Sequence, residues 1–433
     1  MKIFILTTGS RGDVQPFAAL GCGLREAGHK VFLAGSQDFA HLVQSYDLGF
    51  SPIMGDTAAF TSSSEIMNQM KAANPLSFLL TFRKMLRSFH AEFAKLQERV
   101  WEVCQEAEAL IYHPGMINGF FISRELGIPG IMASPFPLSP TREFPSLLFY
   151  AGPRLGIAYN RVTHNVFKGI FWRSLRPSVT EFWRKNGKGP SFVGDPFGAI
   201  EREELPILYS FSRHVISPPA DWADNIAVTG YWFPPDREPG WQAPEDLASF
   251  LESGPPPVYV GFGSVAGMSA DDAMRVALRA LRSLGLRAVV ASSSSEIARE
   301  VENDSEVFLL KEAPHTWLFP KMAAVVHHGG SGTTAAGLRA GVPSLIVPHT
   351  NDQPMWARRV SELGVGFDLA PVKRLSTERF VRAVSGALTS GVRERAASMG
   401  RLIREEDGVG TAVQRILRHF DCPPNRGNSK SRG

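Results

Sequence analysis

Residues 327–352, which read HHGGSGTTAAGLRAGVPSLIVPHTND, combine groups that could bind a diphosphate. The run AAVVH that leads into them is short, partly β-branched and followed by glycine, which predicts a buried parallel strand. Gly329, Gly330 and Gly332 would let the chain turn sharply and bring backbone N–H groups close to a ligand. A helix over 333–340 would direct its unpaired N–H groups and partial positive charge at the turn. The pattern therefore predicts an anion site.

Polar side chains around this turn favour a ligand site over a plain tight connection, which a glycine cluster alone would indicate. His327 ends the strand, Ser331 and Thr333 supply hydroxyl groups, and Asp352 and Gln353 follow the next strand. Open α/β sheets bind ligands beyond the carboxyl ends of their parallel strands. We expect all five side chains to lie on one such edge.

A second candidate lies in GSRGDVQP, residues 9–16, after the first apolar strand IFIL. The pattern predicts a helix that starts at Pro16 and stops at Gly28, with Asp13 in the loop before it. A carboxylate there could act as a general base at the ligand edge. It could equally cap the helix, because it stands only three residues before the proline. The spacing leaves both roles open.

The remaining motifs are weaker. The sequence GFGS, ending at Ser264, could approach a phosphate, but it matches neither GxGxxG nor GxxxxGK[ST], which disfavours a hydride-transfer enzyme or a P-loop kinase. His315 could reach a nucleotide. The adjacent pair His327 and His328 would point to opposite faces of a strand and could not share one ion, so we predict no metal site.

Composition limits the class of protein. The chain has 433 residues, 44% hydrophobic and 20% charged, with a net charge of +4, which indicates a globular protein of two domains or one large α/β body. Three widely spaced cysteines predict neither a disulfide framework nor a zinc site. The apolar N-terminal run is too short for a signal peptide, and no segment reaches the ~20 apolar residues needed to span a bilayer. We expect a cytoplasmic protein without a nucleic-acid partner.

Alternating strand and helix patterns recur in two halves. Residues 1–235 carry the strands KVFLA, ALIYH and GIMAS, and residues 236–420 carry PVYVGFGS, RAVVAS, VFLL, AAVVH, SLIVP and GVGFDL. Each half predicts a doubly wound, Rossmann-like α/β domain. A proline-dense linker, residues 233–244, separates the two halves, and residues 421–433 predict a disordered tail.

Two segments of the first half bear on an acceptor. Residues 75–110 predict a long amphipathic helix with a Phe-rich, basic face, which by default packs on its own domain but could contact a membrane peripherally. Residues 135–190 are rich in Pro, Phe, Trp and Arg and lack a clear strand pattern. We expect loops and helices there that shape a pocket.

Taken together, these motifs resemble the nucleotide-sugar-dependent glycosyltransferases of the two-Rossmann GT-B fold, and most closely those acting on sterols or on bacterial natural products. The matching pieces are GSRGDVQP, PLSPTREFP, TGYWFPP, VYVGFGS, and APHTWLFP through HHGGSGTTAAGLRAGVP to NDQP. The resemblance implies two domains facing each other across a cleft, with the acceptor bound by residues 1–235 and the donor by residues 236–420.

The resemblance also implies roles for individual residues. Asp13 would be the catalytic base. The donor would contact Ser10, Arg11, Gly12, Ser264, His315, His327, Gly330, Ser331, Gly332, Thr333, Asp352 and Gln353. In the plant branch of the family a histidine occupies the Asp13 position, and a ribose-binding glutamate stands where this chain has Ala335.

The implied reaction is an inverting transfer of a hexose, with glucose from UDP-glucose as the leading expectation, to a hydroxyl of a hydrophobic acceptor such as a sterol. No cofactor is implied, because the UDP-sugar is a co-substrate. One alternative is a natural-product glycosyltransferase that uses a UDP- or dTDP-sugar. A different class, a nucleotide-sugar epimerase or hydrolase, could use the same paired domains.

Overall fold

The computed structural model describes residues 1–55, 90–189, 192–234, 241–263, 268–349, 352–371 and 374–421. Within these residues, two parallel sheets are each covered on both faces by helices, and the two-domain Rossmann-like prediction is confirmed. The predicted tail from 422 onward, Ser264, and the centre of the predicted linker lie outside the described residues.

The first sheet has the strand order β3-β2-β1-β4-β5-β6-β7, with all neighbours parallel. Its central strands are apolar and fully buried, as expected for a sheet covered on both faces. The sequence did not predict β3, β6 or β7. The strands are β1 (Lys2–Leu6), β2 (Lys30–Ser36), β3 (Gly49–Met54), β4 (Ala109–Tyr112), β5 (Gly130–Ser134), β6 (Ile207–Tyr209) and β7 (Ile226–Val228).

Six helices accompany this sheet within the described residues: α1 (Arg11–Glu26), α2 (Ala40–Gln44), α3 (His90–Cys104), α4 (Asn118–Leu126), α5 (Ile157–Lys185) and α6 (Pro196–Arg202). The predicted start of α1 at Pro16 is wrong. The helix begins five residues earlier, because a capping box between Ser10 and Asp13 fixes its first turn, and Pro16 lies inside it. Asp13 therefore lies in the first helical turn and not in a loop.

The second sheet is also parallel and has the strand order β10-β9-β8-β11-β12-β13. Its strands are β8 (Val258–Gly261), β9 (Ala288–Ala291), β10 (Val307–Leu310), β11 (Ala324–His327), β12 (Ser344–Ile346) and β13 (Gly366–Asp368). The helices that follow the linker are α7 (Glu245–Glu252), α8 (Met268–Ser283), α9 (Ser295–Val301), α10 (His315–Leu318), α11 (Ser331–Ala340), α12 (Gln353–Glu362), α13 (Thr377–Ala387), α14 (Ser390–Glu405) and α15 (Gly408–Asp421).

Both sheets reverse their strand order at one point, between β1 and β4 in the first and between β8 and β11 in the second. Crevices outside the carboxyl ends of strands at such a reversal are the usual ligand sites of open α/β sheets. The segments that carry Asp13 and His327 leave the sheets there, at the ends of β1 and β11. The topology thus places the two strongest sequence candidates at the two expected crevices.

Helix α15, the last helix described, packs against the first domain. Side chains of α15, including Val413, Ile416 and Phe420, belong to the same buried cluster as Ile3 and Phe17. A Cβ added to Gly23 of α1 would lie 2.5 Å from Cγ1 of Val409, so the two helices are closely packed. The second domain as predicted, 236–420, therefore includes at its end a helix that packs with the first sheet.

The predicted helix over 75–110 is described only from residue 90. In that part Leu96 and Val100 are buried and Phe93 packs against the core of the first domain, which agrees with packing on its own domain. The face formed by residues 75–89 lies outside the described residues. Among the helices that the structure describes, none is long and apolar enough to cross a membrane.

Candidate active site

Two strand–turn–helix units, one from each domain, meet at their helix N-termini. We call them the Asp13 turn (residues 9–13) and the His327 turn (residues 327–332). A Cβ added to Gly332 would lie 2.9 Å from Cα and 3.2 Å from the carbonyl oxygen of Gly12. The two backbones are therefore in direct contact, and the domains are closed at the edge where the sequence predicted the ligand.

In the Asp13 turn, one carboxylate oxygen closes the helix start. Oδ2 of Asp13 accepts the Ser10 backbone N–H at 2.8 Å and the Ser10 hydroxyl at 3.0 Å. Burial raises the pKa of Asp13 above its usual value, against the lowering effect of these two hydrogen bonds. The capping and the general-base interpretations are thus compatible, because the cap orients a carboxyl group whose raised pKa favours proton uptake.

The His327 turn leaves its helix N-terminus open. Nδ1 of His327 accepts the Gly329 backbone N–H at 3.0 Å, and Gly329 adopts φ +93°, a conformation that favours glycine. Helix α11 begins at Ser331, two residues before the predicted start, and its N-cap is Gly330. Since a glycine offers no side chain to cap the helix and residues 331–334 include no acid, the first N–H groups of α11 remain available to an anion.

Histidines around the His327 turn are neutral donors or acceptors. Because Nδ1 of His327 accepts a hydrogen bond, its hydrogen is on Nε2, which is buried without a partner among the described residues. Burial lowers the pKa of His327 well below the usual value, and that of His328 and His315 to about 4. An unpaired buried donor costs about 1–3 kcal/mol, so the Nε2–H of His327 suits an acceptor oxygen of a ligand.

Asp352 and Gln353 follow β12 and reach the same seam. Oδ2 of Asp352 accepts the Trp356 indole N–H at 2.8 Å. Burial, and secondly the charge of Asp13 in the other domain, raise the pKa of Asp352 to about 7. Oε1 of Gln353 accepts the His349 backbone N–H at 2.7 Å, and this oxygen holds the loop that leads to Asp352.

Arg11 links the domains beside this pair. Its Nη1 lies 2.6 Å from Oε1 of Glu312, and its positive charge contributes to the lowered pKa of His315. Ring stacking holds His315 against Phe319 at a centroid distance of 4.2 Å. The structure thus brings together every predicted site residue except Ser264, which lies outside the described residues.

Sequence reasoning assigned no site role to His328 or His349. The ring of His328 lies between Gly263 and Gly330, where an added Cβ would meet ring atoms at 2.9 and 2.6 Å. The His349 ring lies 5.9 Å from that of Phe262. His349 could have been identified as a site candidate from its position after β12, because the end of this strand lies at the sheet edge that carries Asp352.

An aromatic cluster packs beside Asp13 in the core of the first domain, where Phe17 is fully buried. Phe17, one helical turn further along α1, packs edge-on against His113, which in turn packs against Phe136. Nδ1 of His113 accepts the Gly115 N–H at 3.1 Å, and its Nε2 is buried without a partner among the described residues. Within the described part of the chain, no cluster of three or more His, Cys, Asp or Glu side chains could hold a metal ion.

Comparison with known proteins agrees with this geometry. Residues 3–145 match the model of the glycosyltransferase family 28 N-terminal domain, and residues 278–406 match that of the erythromycin biosynthesis protein CIII-like C-terminal domain. The sterol 3-beta-glucosyltransferase of Neurospora crassa is 34% identical over 98% of this chain and 28% of that protein. Its counterpart in Aspergillus clavatus is 34% identical over 97% of this chain and 30% of that protein. The chain thus spans less than a third of these relatives.

Solved structures share the fold over the whole length. The kitacinnamycin glycosyltransferase superposes with a TM-score of 0.68 at 19% identity, covering 96% of this chain and 98% of its own. The calicheamicin glycosyltransferase gives 0.65 at 18% identity, with 98% and 99% covered. The chain has the GT-B fold of these glycosyltransferases. Of its two GT-B domains, the family 28 match contains the Asp13 turn, and the second match contains the His327 turn, Asp352 and Gln353.

Proposed function

We propose that the chain is an inverting hexosyltransferase that moves glucose from UDP-glucose to a hydroxyl group of a sterol or a related lipid. The observation that carries the proposal is the meeting of Asp13 with the open N-terminus of α11 at one seam. A base for the acceptor and an anion site for the leaving group belong together in such a transfer.

In the proposed reaction, the acceptor oxygen attacks the anomeric carbon from the face opposite the diphosphate. The bond from that carbon to the phosphate oxygen breaks, UDP leaves with the electron pair, and Asp13 takes the hydroxyl proton. An α-linked donor therefore gives a β-linked product. The raised pKa of Asp13 favours this proton uptake.

Negative charge that develops on the departing diphosphate would meet groups already in place. These are the free N–H groups at the start of α11, the Nε2–H of His327 and the hydroxyls of Ser331 and Thr333. Fixed donors of this kind stabilise a transition state without reorganisation. Asp352, with its pKa near 7, carries a proton for part of the time at neutral pH and could donate a hydrogen bond to a sugar hydroxyl.

Support for a lipid acceptor comes from the sterol 3-beta-glucosyltransferases that the chain resembles over nearly its whole length. A second candidate is transfer from a dTDP-sugar to a natural product. A Streptomyces glycosyltransferase solved with thymidine diphosphate favours it, with a TM-score of 0.63 at 18% identity over 97% of this chain and 100% of its own.

Mass spectrometry of acceptors tests the proposal. The purified chain is incubated with UDP-glucose or a dTDP-sugar and a panel of sterols, flavonoids and macrolides. We expect a gain of one hexose on a sterol from UDP-glucose, with a β-linkage by NMR. A gain only on macrolides from the dTDP-sugar would favour the second candidate. Conversion of UDP-glucose without any acceptor would indicate an epimerase or hydrolase.

A further inference from the structure

Helix α5 begins with a cluster of exposed apolar side chains. Leu155 is 66% exposed, and Ile157 and Val162 are each 57% exposed. Single exposed apolar residues are ordinary on protein surfaces. These three lie within eight residues of one another, on the turn before α5 and in its first helical turns, and we call them the apolar patch. Exposed apolar side chains that cluster in this way mark interaction sites.

The chain around this patch is positively charged. From Phe144 to Thr180 it contains five Lys or Arg residues and no Asp or Glu. Arg154 pairs with Glu362, and Lys168 pairs with Glu201. The other three, Arg161, Arg173 and Arg176, make no ion pair with any residue that the structure describes.

These arginines lie on one face of α5. Arg161, Arg173, Arg176 and Arg184 are all exposed and lie along the solvent-facing side of α5, within an arc of about 140° at 3.6 residues per turn. We call them the arginine stripe. From Arg161 to Arg184 the stripe is about 35 Å long at the normal helical rise. The buried side of α5 packs into the domain core through Phe167, Leu175 and Phe182.

An open depression of about 630 Å³ lies along the C-terminal part of the stripe. It is lined by Arg173, Arg176, Pro177, Thr180, Glu181 and Arg184. Three guanidinium groups against one carboxylate give it a net positive lining, which suits a phosphate or carboxylate headgroup.

We propose that this face of α5, with the turn at 153–158, docks on a lipid bilayer that contains anionic headgroups. The stripe complements a negative surface, and the apolar patch at its end would enter the headgroup region. A soluble polyanion such as RNA would use the arginines but would leave the apolar patch in water. The bilayer accounts for both features.

The docking face adjoins the domain seam. Tyr150 and Arg154, just before α5, contact Glu362 of the second domain, with Arg154 Nη2 at 2.9 Å from its Oε1. A bilayer on this face would therefore lie next to the edge of the first domain that the proposed acceptor must reach. The docking itself is independent of the sugar, the nucleotide and the acceptor.

Vesicle co-sedimentation of the whole chain tests the inference. Vesicles of phosphatidylcholine alone are compared with vesicles in which about a third of the lipid is phosphatidylserine, at about 0.1 M salt. We expect binding to the anionic vesicles only. The pair Arg173→Gln and Arg176→Gln should weaken it about 25-fold, at roughly fivefold per charge near an anionic surface. The pair Leu155→Ser and Ile157→Ser should weaken it about tenfold or more.

Matched controls lie on other surfaces. Arg393→Gln with Arg415→Gln removes two exposed charges, and Leu402→Ser removes an apolar side chain that is 39% exposed. Both controls should bind vesicles like the unmodified chain. Equal losses in controls and docking variants, equal binding to neutral vesicles, or binding to polyuridylate with no effect of the Leu155 and Ile157 changes would each overturn the inference.

Activity separates this inference from the proposed function. Transfer to an acceptor dissolved in detergent should be unchanged in all docking variants, because none of their residues contacts the site. A chain that binds vesicles but transfers no sugar would contradict the proposed function and leave the docking face intact.

Discussion

The Asp13 turn and the His327 turn have the same local design, since each leads from the central strand of a sheet into a helix. They differ in what satisfies the helix N-terminus. In the Asp13 turn the carboxylate of Asp13, three residues after Ser10, accepts the backbone N–H and the hydroxyl of Ser10. In the His327 turn glycine caps the helix, and the N–H groups stay open. The Asp13 turn contains its own carboxylate, whereas the His327 turn leaves N–H groups that can bind the anion of a ligand.

This difference between the two helix N-termini is the basis of the roles proposed for the two turns. A helix start that already holds a carboxylate repels a second anion, but it orients that carboxylate for proton transfer. A helix start without one attracts a diphosphate. Contact between Gly12 and Gly332 brings the two turns together, as the proposed reaction requires.

The largest expected effect is that of Asp13→Asn. An asparagine side chain still caps α1 but cannot take a proton, so we expect kcat to fall about 10³-fold, within the range for loss of a general base. Initial rates with UDP-glucose and the preferred acceptor measure this. The exposed Asp224→Asn is the control, and near-normal turnover by Asp13→Asn would remove this residue from the role of base.

Next is His327→Ala, which removes the buried Nε2–H and the acceptor for Gly329. We expect kcat/KM for the donor to fall about 10²-fold, as for other lost donors to a developing anion. His327→Asn tests the donor alone, because its Oδ1 can still accept the Gly329 N–H. Equal activity of the Asn variant and the unmodified chain would show that Nε2 does not contact the diphosphate. The exposed His41→Ala serves as control.

A smaller effect is expected for Gly332→Ala, which puts a methyl group against the Gly12 backbone at 2.9 Å. Neither backbone can move aside as a flexible side chain would, so the closed contact should weaken, and UDP affinity should drop roughly tenfold (1.4 kcal/mol). Calorimetric titration with UDP measures it. At Gly391 in α14 an added Cβ meets only a guanidinium nitrogen at 3.5 Å, and Gly391→Ala should bind UDP normally.

The smallest effect concerns the buried carboxyl group of Asp352. The folded pKa of Asp352, about 7, exceeds that of an unfolded carboxyl, so the folded state holds the proton more tightly and loses stability as the pH rises from about 4 through 7. Asp352→Asn removes this loss. Relative to the unmodified chain it should gain about 1–2 kcal/mol in free energy of unfolding between pH 5 and pH 8, allowing for solvent screening. Urea titrations at both pH values measure the gain, and a pH-independent difference would contradict it.

The sequence correctly predicted elements that have a clear local pattern of apolar residues. Long apolar runs such as AAVVH and KVFLA predicted strands correctly, because burial on both faces removes polar residues from them. The strands Ile207–Tyr209 and Ile226–Val228 were missed because both are short and no helix lies between them. The alternation of strands and helices, which indicated the equally short β12 and β13, is absent there. Pro16 misled the start of α1, because the pattern of a proline at a helix start outweighed the capping box before it.

The residue types of the site could be predicted from the sequence. Which residues of the two domains contact each other could not. Glycines and hydroxyls of the His327 turn indicate an anion from spacing alone, but the contact between Gly12 and Gly332 spans two domains and has no local signature. The effect of the Asp13 charge on Asp352 also acts between the two domains and has no local signature. Likewise, nothing in the pattern of α15 reveals that it packs on α1, because an amphipathic helix does not specify its neighbour.

That last helix has a consequence for biosynthesis. The first sheet needs Val413, Ile416 and Phe420 to cover one of its faces, yet more than 170 residues of the second domain are made in between. During translation the first domain would expose an apolar surface until the second domain and α15 have also been synthesised. A chaperone that shields such surfaces should therefore raise the yield of the intact chain more than that of a version with α15 grafted after residue 234.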